Sequence, residues 1–334
     1  MSHRMDSRSR SNRRRARWAA VCAGLALSLT VGAHGEAAAS DSPTPPRPLG
    51  QVLDVTAALA GGLLHPEAPP AGSNDWSCRP SRKHPRPVVL LHGSAANAFN
   101  NWSMLSPWLK RQGYCVFAPN YGGPPGSPFQ ATGPIPAAAR QVARYVDRVL
   151  KSTGARQVDI VGHSQGGGPT PRWYLRFEGG TNPGNPKRNK VRRLVALAPP
   201  NHGGNVSGIG TLTTQLGLDP AVSAVVGQAF SDQMVGSEMN RKLDKDGDTR
   251  PGVHYTVIVT RYDEFATPYR NTFLTAGPGA KVRNILIQRV CKEDFSEHLS
   301  LAYDTNAAQL VSNALDPKHA KPVRCRLVLP VLGG

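Results

Sequence analysis

Ser164 stands in Gly162-His163-Ser164-Gln165-Gly166, and a serine set between two glycines at this spacing is suited to attack a carbonyl carbon. A serine hydroxyl is a weak nucleophile at neutral pH. It needs a histidine to accept its proton and a carboxylate to hold that histidine in the useful tautomer. When the nucleophile sits on a strand-to-helix turn, the acid and then the base follow it in the chain, each on a loop beyond a later strand. Asp263, in Thr260-Arg261-Tyr262-Asp263-Glu264, follows the apolar run His254 to Val259 and is preferred to Glu264, because neighbours on a loop tend to face opposite ways. His298 opens a helical pattern beyond the last apolar run and is preferred as base to His319, which stands in the Pro-flanked stretch Asp316 to Pro322. His163 adjoins the serine at a sharp turn and is expected to pack rather than to catalyse, and His202 is expected in a loop near the site.

A serine attack creates a negative oxygen that needs donors already in place. The amide after the nucleophile, that of Gln165, supplies one, and the Ser94 amide in His92-Gly93-Ser94 is expected to supply the other. Each such donor is worth about 3 to 4 kcal/mol of barrier. Both are backbone groups, so Ser94→Ala is expected to be mild.

These residues require a sheet to hold them. Short apolar runs alternate with helical patterns, as in an α/β fold with a mostly parallel central sheet flanked by helices. Strands are predicted over Val88 to Leu91, Tyr114 to Ala118, Val158 to Val161, Leu194 to Leu197, His254 to Val259 and Asn284 to Val290. Between the second and third, Ile135, Ala138, Ala139, Val142, Val146, Val149 and Leu150 recur at helical spacing, and Gly154 follows as a left-handed cap. The strand-to-helix placement of Ser164 makes this an expected α/β-hydrolase fold, with the catalytic domain over 76–334. Apolar residues from Leu212 to Phe230 suggest a candidate cap over 205–240 that binds acyl chains or a lipid interface, the alternative being ordinary helices packed on the sheet. Asp244-Lys245-Asp246-Gly247-Asp248 lacks the glycine position and downstream glutamate of a calcium loop and is expected to be a solvated turn. No metal or cofactor is expected.

The chain opens on seven arginines ending at Arg17, an apolar run from Trp18 to Ala33 and the small residues Ala37-Ala38-Ala39. This reads as a signal peptide over 1–39 and a secreted, extracellular protein, with a retained membrane anchor as the alternative. Arg13-Arg14-Arg15 leaves the general secretory and twin-arginine routes both open. A Pro/Gly-rich segment over 40–75 follows, with a short apolar helix near Leu53 to Leu64. The net charge of +18 becomes +13 without the signal, from 33 basic and 20 acidic residues. A solvated basic surface or attraction to an anionic cell envelope or lipid surface would account for it, whereas the scattered Lys and Arg argue against nucleic acid. Four cysteines remain after Cys22 leaves, an even number that suggests two disulfides in an oxidising compartment. Three pairings are formally open. Sequence order favours Cys78 with Cys115 and Cys291 with Cys325, the second bracing the loop that carries His298.

Six blocks in order, His92-Gly93, Asn101-Trp102 to Trp108-Leu109, Gly113-Tyr114-Cys115-Val116-Phe117, Gly162 to Gly167, Thr260 to Glu264 and Glu297-His298-Leu299, together resemble the secreted class 2 lipases of actinobacteria. The resemblance covers roughly Trp76 to Cys325. It implies a triacylglycerol lipase or carboxylesterase without a cofactor, and the same triad and disulfide pairing. The segment Gly168-Pro169-Thr170-Pro171-Arg172 departs from it by one added residue, so the helix after the nucleophile is expected to begin late or to bend. A monomer acting on lipid or ester substrates is the resulting expectation. Acyl transfer to an alcohol in the cell envelope, polyester hydrolysis and noncatalytic binding on the same scaffold are the competing readings.

Overall fold

Six strands form one all-parallel sheet in the order β2-β1-β3-β4-β5-β6. They are β1 Val88–Leu91, β2 Val116–Phe117, β3 Val158–His163, β4 Val191–Leu197, β5 His254–Val259 and β6 Lys281–Leu286. The computed structural model describes residues 54–204 and 227–334. All lie in the unit Pro46–Gly334, while the unit Met1–Pro45, and with it the expected signal peptide, lies outside the described residues.

β1 to β3 are buried along their whole length, so both faces of the sheet need cover, and alternate side chains serve opposite layers. Val88 and Leu90 join Val161, Val195 and Ile258 beneath α1 Val55–Leu64, α2 Ala98–Trp102, α3 Leu105–Arg111 and α8 Thr305–Leu315. Val89 and Leu91 join Ile160, Leu194 and Val257 beneath α4 Ile135–Thr153 and α5 Pro169–Phe177. On α4 the predicted apolar face is buried from Ile135 to Val149, with Leu150 only partly covered, and Gly154 closes the helix at φ 70°.

Four strands differ from their predicted bounds. β3 runs two residues beyond Val161, to His163. β2 keeps only two residues because the segment before it takes over its outer edge: Asn74 N–H donates to Val116 O at 2.9 Å, and Ala118 N–H to Asn74 Oδ1 at 2.8 Å. β4 begins earlier, at Val191, through the half-buried Arg192 and Arg193. β6 begins earlier, at Lys281, and ends at Leu286, because its outer edge carries the exposed Lys281, Arg283 and Asn284 while Ile287–Arg289 coils into a 3-10 turn. Both of those starts are too polar to read as strand.

Residues 205–226 of the candidate cap lie outside the described residues. The remainder forms α6 Gly227–Asp232 and, from Glu238, the start of α7 Glu238–Asp244. α1 packs on α2, where Gly61 leaves room for the Phe99 ring and Gly62 for Asn100.

Two disulfides close the expected pairs, with Cα separations of 5.8 Å for Cys78–Cys115 and 5.0 Å for Cys291–Cys325. The second holds the C-terminal segment against the 291–297 loop, where Phe295 N–H donates to Val328 O at 3.0 Å. The same loop rests on a buried carboxylate pair. Ser296 Oγ donates to Asp294 Oδ1 at 2.6 Å and lies 3.3 Å from Asp304 Oδ2, while Asp304 caps α8 by accepting from the amides of Asn306 and Ala307. Burial, with the Asp294 charge beside it, raises the Asp304 pKa well above the ordinary carboxylate range.

The double change Cys291→Ser/Cys325→Ser should lower unfolding free energy by about 3 to 4 kcal/mol, the loop-closure value for a span of this size, as read by urea denaturation. Asp304 binds its proton more tightly folded than unfolded. It therefore favours the fold at low pH and loses that contribution as pH rises from the ordinary carboxylate value toward its folded pKa. Asp304→Asn keeps the cap acceptor without the charge. Its melting temperature relative to the unaltered protein should climb with pH over that window.

Candidate active site

The order of the sheet places a reversal of strand order between β1 and β3, since the chain leaves β1 toward β2 and returns on the other side. In open parallel sheets the crevice beyond the carboxyl ends at such a switch is where ligands bind. His92-Gly93-Ser94 leaves β1 there and Ser164 leaves β3 beside it.

Ser164 adopts φ 54°, a left-handed conformation that a serine reaches only when its neighbours enforce it. The neighbours are glycines because the backbone crosses itself. A Cβ on Gly162 would lie 1.8 Å from Gly166 O, and one on Gly166 would lie 2.2 Å from Leu91 O. The chain then makes a 3-10 turn over Ser164–Gly166 and starts α5 only at Pro169. The late start expected from Gly168 to Pro171 is thus present. Both prolines fall in the first helical turn, where no intrahelical N–H is required, so the helix tolerates them.

His298 Nε2 lies 2.9 Å from Ser164 Oγ, and its Nδ1 lies 3.0 Å from each carboxylate oxygen of Asp263. All three residues are buried. Asp263 is oriented by the amides of Phe265 and Ala266, which donate to Oδ1 at 2.9 and 2.7 Å. Burial pushes Asp263 up, but the imidazole and these amides together hold it below the usual carboxylate value. Burial pushes His298 down, yet the Asp263 charge and hydrogen bond outweigh it and leave the histidine above its ordinary value. Glu264, the alternative acid, places Oε2 3.4 Å from the His298 amide instead of reaching the ring. His319, the alternative base, is exposed and pairs with Asp316 at 2.8 Å.

Ser94 lines the same cavity, and its hydroxyl donates to Gln165 Oε1 at 2.5 Å, which ties the turn after β1 to the turn after β3. Gln233, beyond α6, closes this cluster from the far side, donating through Nε2 to Ser94 Oγ at 3.0 Å and to Ala229 O at 2.9 Å. Nothing in the sequence pointed to Gln233. Asn101 stands in one of the blocks that carry the resemblance, but its role is not legible there: its Oδ1 accepts from the Gly93 amide at 2.7 Å and fixes the turn before Ser94.

His163 packs as expected, but it also has a partner in the site. Burial takes its pKa down to about 3, so it is neutral with a single N–H, and the Nε2 contact of 2.8 Å to His298 O is the one that proton serves. It thereby holds the backbone of the histidine that faces Ser164.

His202 is absent from the residues lining the Ser164 cavity and pairs with Asp248 at 2.9 Å. The Asp244 to Asp248 segment is accordingly not a purely solvated turn. Asp244 accepts from the buried Arg172 Nη2 at 2.8 Å and Asp248 lies 3.7 Å from it, while Asp246 stays largely exposed against Arg176. The ligating atoms of His202, Asp244 and Asp248 lie within 4.8 Å of one another, and the Arg172 guanidinium already supplies positive charge among them.

Above Ser164 the cavity is walled by Val55 and Leu59 of α1 and by Leu299, Ala302 and Tyr303 beyond His298. The wall is mostly apolar.

Residues 85–311 match the family described as Lipase (class 2). A triacylglycerol lipase of Pseudarthrobacter phenanthrenivorans is 36% identical over 86 residues, covering 24% of this chain and 25% of that protein. One of Burkholderia plantarii is 36% identical over 86 residues, covering 24% and 23%. The chain thus spans about a quarter of the length of the curated relatives it matches. Aspergillus fumigatus lipase B superposes with a TM-score of 0.57 over 87% of this chain and 64% of its own, at 18% identity, a likeness of fold.

A base at work must be deprotonated, and Asp263 raises the pKa at which His298 becomes so. The acidic limb of kcat/KM should therefore fall above the ordinary histidine value of about 6.5. Asp263→Asn should move that limb to lower pH and reduce kcat by about 10⁴-fold, measured on a soluble ester.

Proposed function

The chain belongs to the class 2 lipase family, and from that premise we propose that it hydrolyses carboxylic esters of lipids through an acyl-enzyme on Ser164. The observation that carries the reading is the line Ser164 Oγ, His298 Nε2, His298 Nδ1, Asp263 with contacts of 2.9 and 3.0 Å. In this reading His298 takes the Ser164 proton as Oγ attacks the ester carbonyl, and Asp263 stabilises the imidazolium that results. The amides of Ser94 and Gln165 receive the developing oxyanion. The imidazolium then protonates the leaving alcohol, and a water activated by the same nitrogen releases the acid.

The cavity supports an acyl chain as the recognised part of the substrate. Leu59 and Val55 offer it apolar surface without a hydrogen-bonding group to satisfy, at roughly 25 cal/mol per Å² buried. Export suits the two disulfides, which persist in oxidising compartments. We infer a secreted monomer, with removal of 1–39, that meets its substrate at a lipid-water interface.

The deciding experiment measures 4-nitrophenyl esters of increasing acyl length with the purified protein and with Ser164→Ala. Ser164→Ala should lose about 10⁶-fold in kcat while retaining its fold. Leu59→Trp should shift the optimum toward shorter chains by filling the apolar wall, with little change on the acetate ester. Equal rates for Ser164→Ala and the unaltered protein would remove the reading.

A further inference from the structure

At the end of the sheet away from Ser164, the segment before β1, the start of β4 and the end of α8 enclose a second cavity of about 450 Å³. That volume lies within the range of small-ligand sites. It sits across the length of β3 from the catalytic crevice, about 20 Å at the usual rise per strand residue.

Its walls carry Arg82, Lys83, Arg86, Arg192, Arg193 and Lys318, against two carboxylates, Asp159 and Asp316. Asp159 is buried and receives Arg86 Nε at 2.9 Å, with Arg193 Nη1 at 3.6 Å. One carboxylate thus faces two guanidiniums. Asp316 is engaged by His319 at 2.8 Å, and Arg192 donates one N–H to Gly252 O at 2.7 Å. Arg193 Nη1 and the Tyr114 hydroxyl, the latter on a side chain 3% exposed, are buried without a hydrogen-bond partner among the described residues. Buried donors are rarely left so, and each unmade bond costs about 1 to 3 kcal/mol. The excess positive charge reaches neighbouring groups as well. His254, at the start of β5, is driven down to about 4 by burial and then by Arg192, Arg193 and Lys281.

We propose that this basal cavity is an anion site that binds phosphate groups, with Arg193 and Tyr114 donating from its floor and Lys83 and Lys318 closing over the ligand from the rim. Two features favour phosphate over a single carboxylate. The surplus of cations over carboxylates calls for a multiply charged ligand, and arginine forks match the oxygens of a phosphate. The site is independent of ester hydrolysis, and its occupation would fix the protein on a phosphate-bearing surface or polymer with the catalytic crevice turned away.

Tripolyphosphate serves as the probe in isothermal titration of the purified protein, beside adhesion to vesicles of phosphatidylglycerol or phosphatidylcholine. Lys83→Ser/Lys318→Ser alters only exposed side chains and should weaken tripolyphosphate binding by about tenfold, with less dependence on salt. Arg193→Gln should weaken it further, and if that variant fails to fold the surface pair decides. Hydrolysis of 4-nitrophenyl butyrate, read in parallel, should be unchanged in the surface pair. Phosphatidylglycerol adhesion displaced by tripolyphosphate would assign the site to lipid headgroups, and tripolyphosphate binding without adhesion to soluble phosphates. Absence of tripolyphosphate binding by folded protein, binding unaltered in the surface pair, or adhesion that tripolyphosphate does not displace would each overturn the proposal.

Discussion

The close crossing of backbone at Gly162 and Gly166 is the constraint on which the catalytic geometry rests. With a Cβ position only 1.8 Å from a carbonyl oxygen, no side chain fits at Gly162, and the chain between the two glycines must fold back sharply. Ser164 is lifted into a left-handed conformation as a consequence, and its hydroxyl stands clear of β3 toward the turn that leaves β1. A parallel sheet makes this useful. It aligns the carboxyl ends of β1, β3, β5 and β6, so that turns separated by long stretches of chain converge on one edge.

Around that edge Asp263, His298 and His163 are buried, and each is held by a particular set of partners. Asp263 is held ionised by two amides and an imidazole, and it in turn holds His298 against the cost of burial. His163 stays neutral beneath them and supplies only its N–H, which adds orientation without a competing positive charge. The buried pair Asp294 and Asp304 supports the same loop by a different device, burial and the Asp294 charge raising the Asp304 pKa so that it holds its proton more tightly. The loop bearing His298 is thus fixed by a disulfide, a carboxylate pair and an imidazole, each placed by a different part of the chain.

Much of this was legible in the amino-acid sequence where a local pattern carries the information. The glycines around Ser164, the apolar stripe from Ile135 to Val149 and the runs at β1, β3 and β5 each express a short-range steric or packing rule. The edges of the sheet were less legible, because β2 is cut short by Asn74 from outside the strand and β6 begins on exposed polar residues. Gln233 and the roles of Asn101 and of the His163 ring in holding backbone were not legible at all. Each acts on a residue more than sixty positions away or across a turn, and a glutamine or asparagine used in this way leaves no periodic signature. The same holds for Asp244 and Asp248, whose partners Arg172 and His202 come from other elements.

Part of the apolar wall of the Ser164 cavity has a separate origin from the triad proposed to do the chemistry. Val55 and Leu59 come from α1, which precedes the stretch 85–311 that matches the family, whereas Ser164, Asp263 and His298 lie within that stretch. The helix meets the rest through Val55 and Ala58 in the core shared with Trp102 and Tyr303, through Gly61 and Gly62 against Phe99 and Asn100, and through the hydrogen bond from Asn97 Nδ2 to Gly62 O. In the proposed reading, a share of selectivity therefore comes from outside the stretch that carries the reaction. On that reading, exchanging the leading helix would alter the substrate range while leaving Ser164, Asp263 and His298 in place.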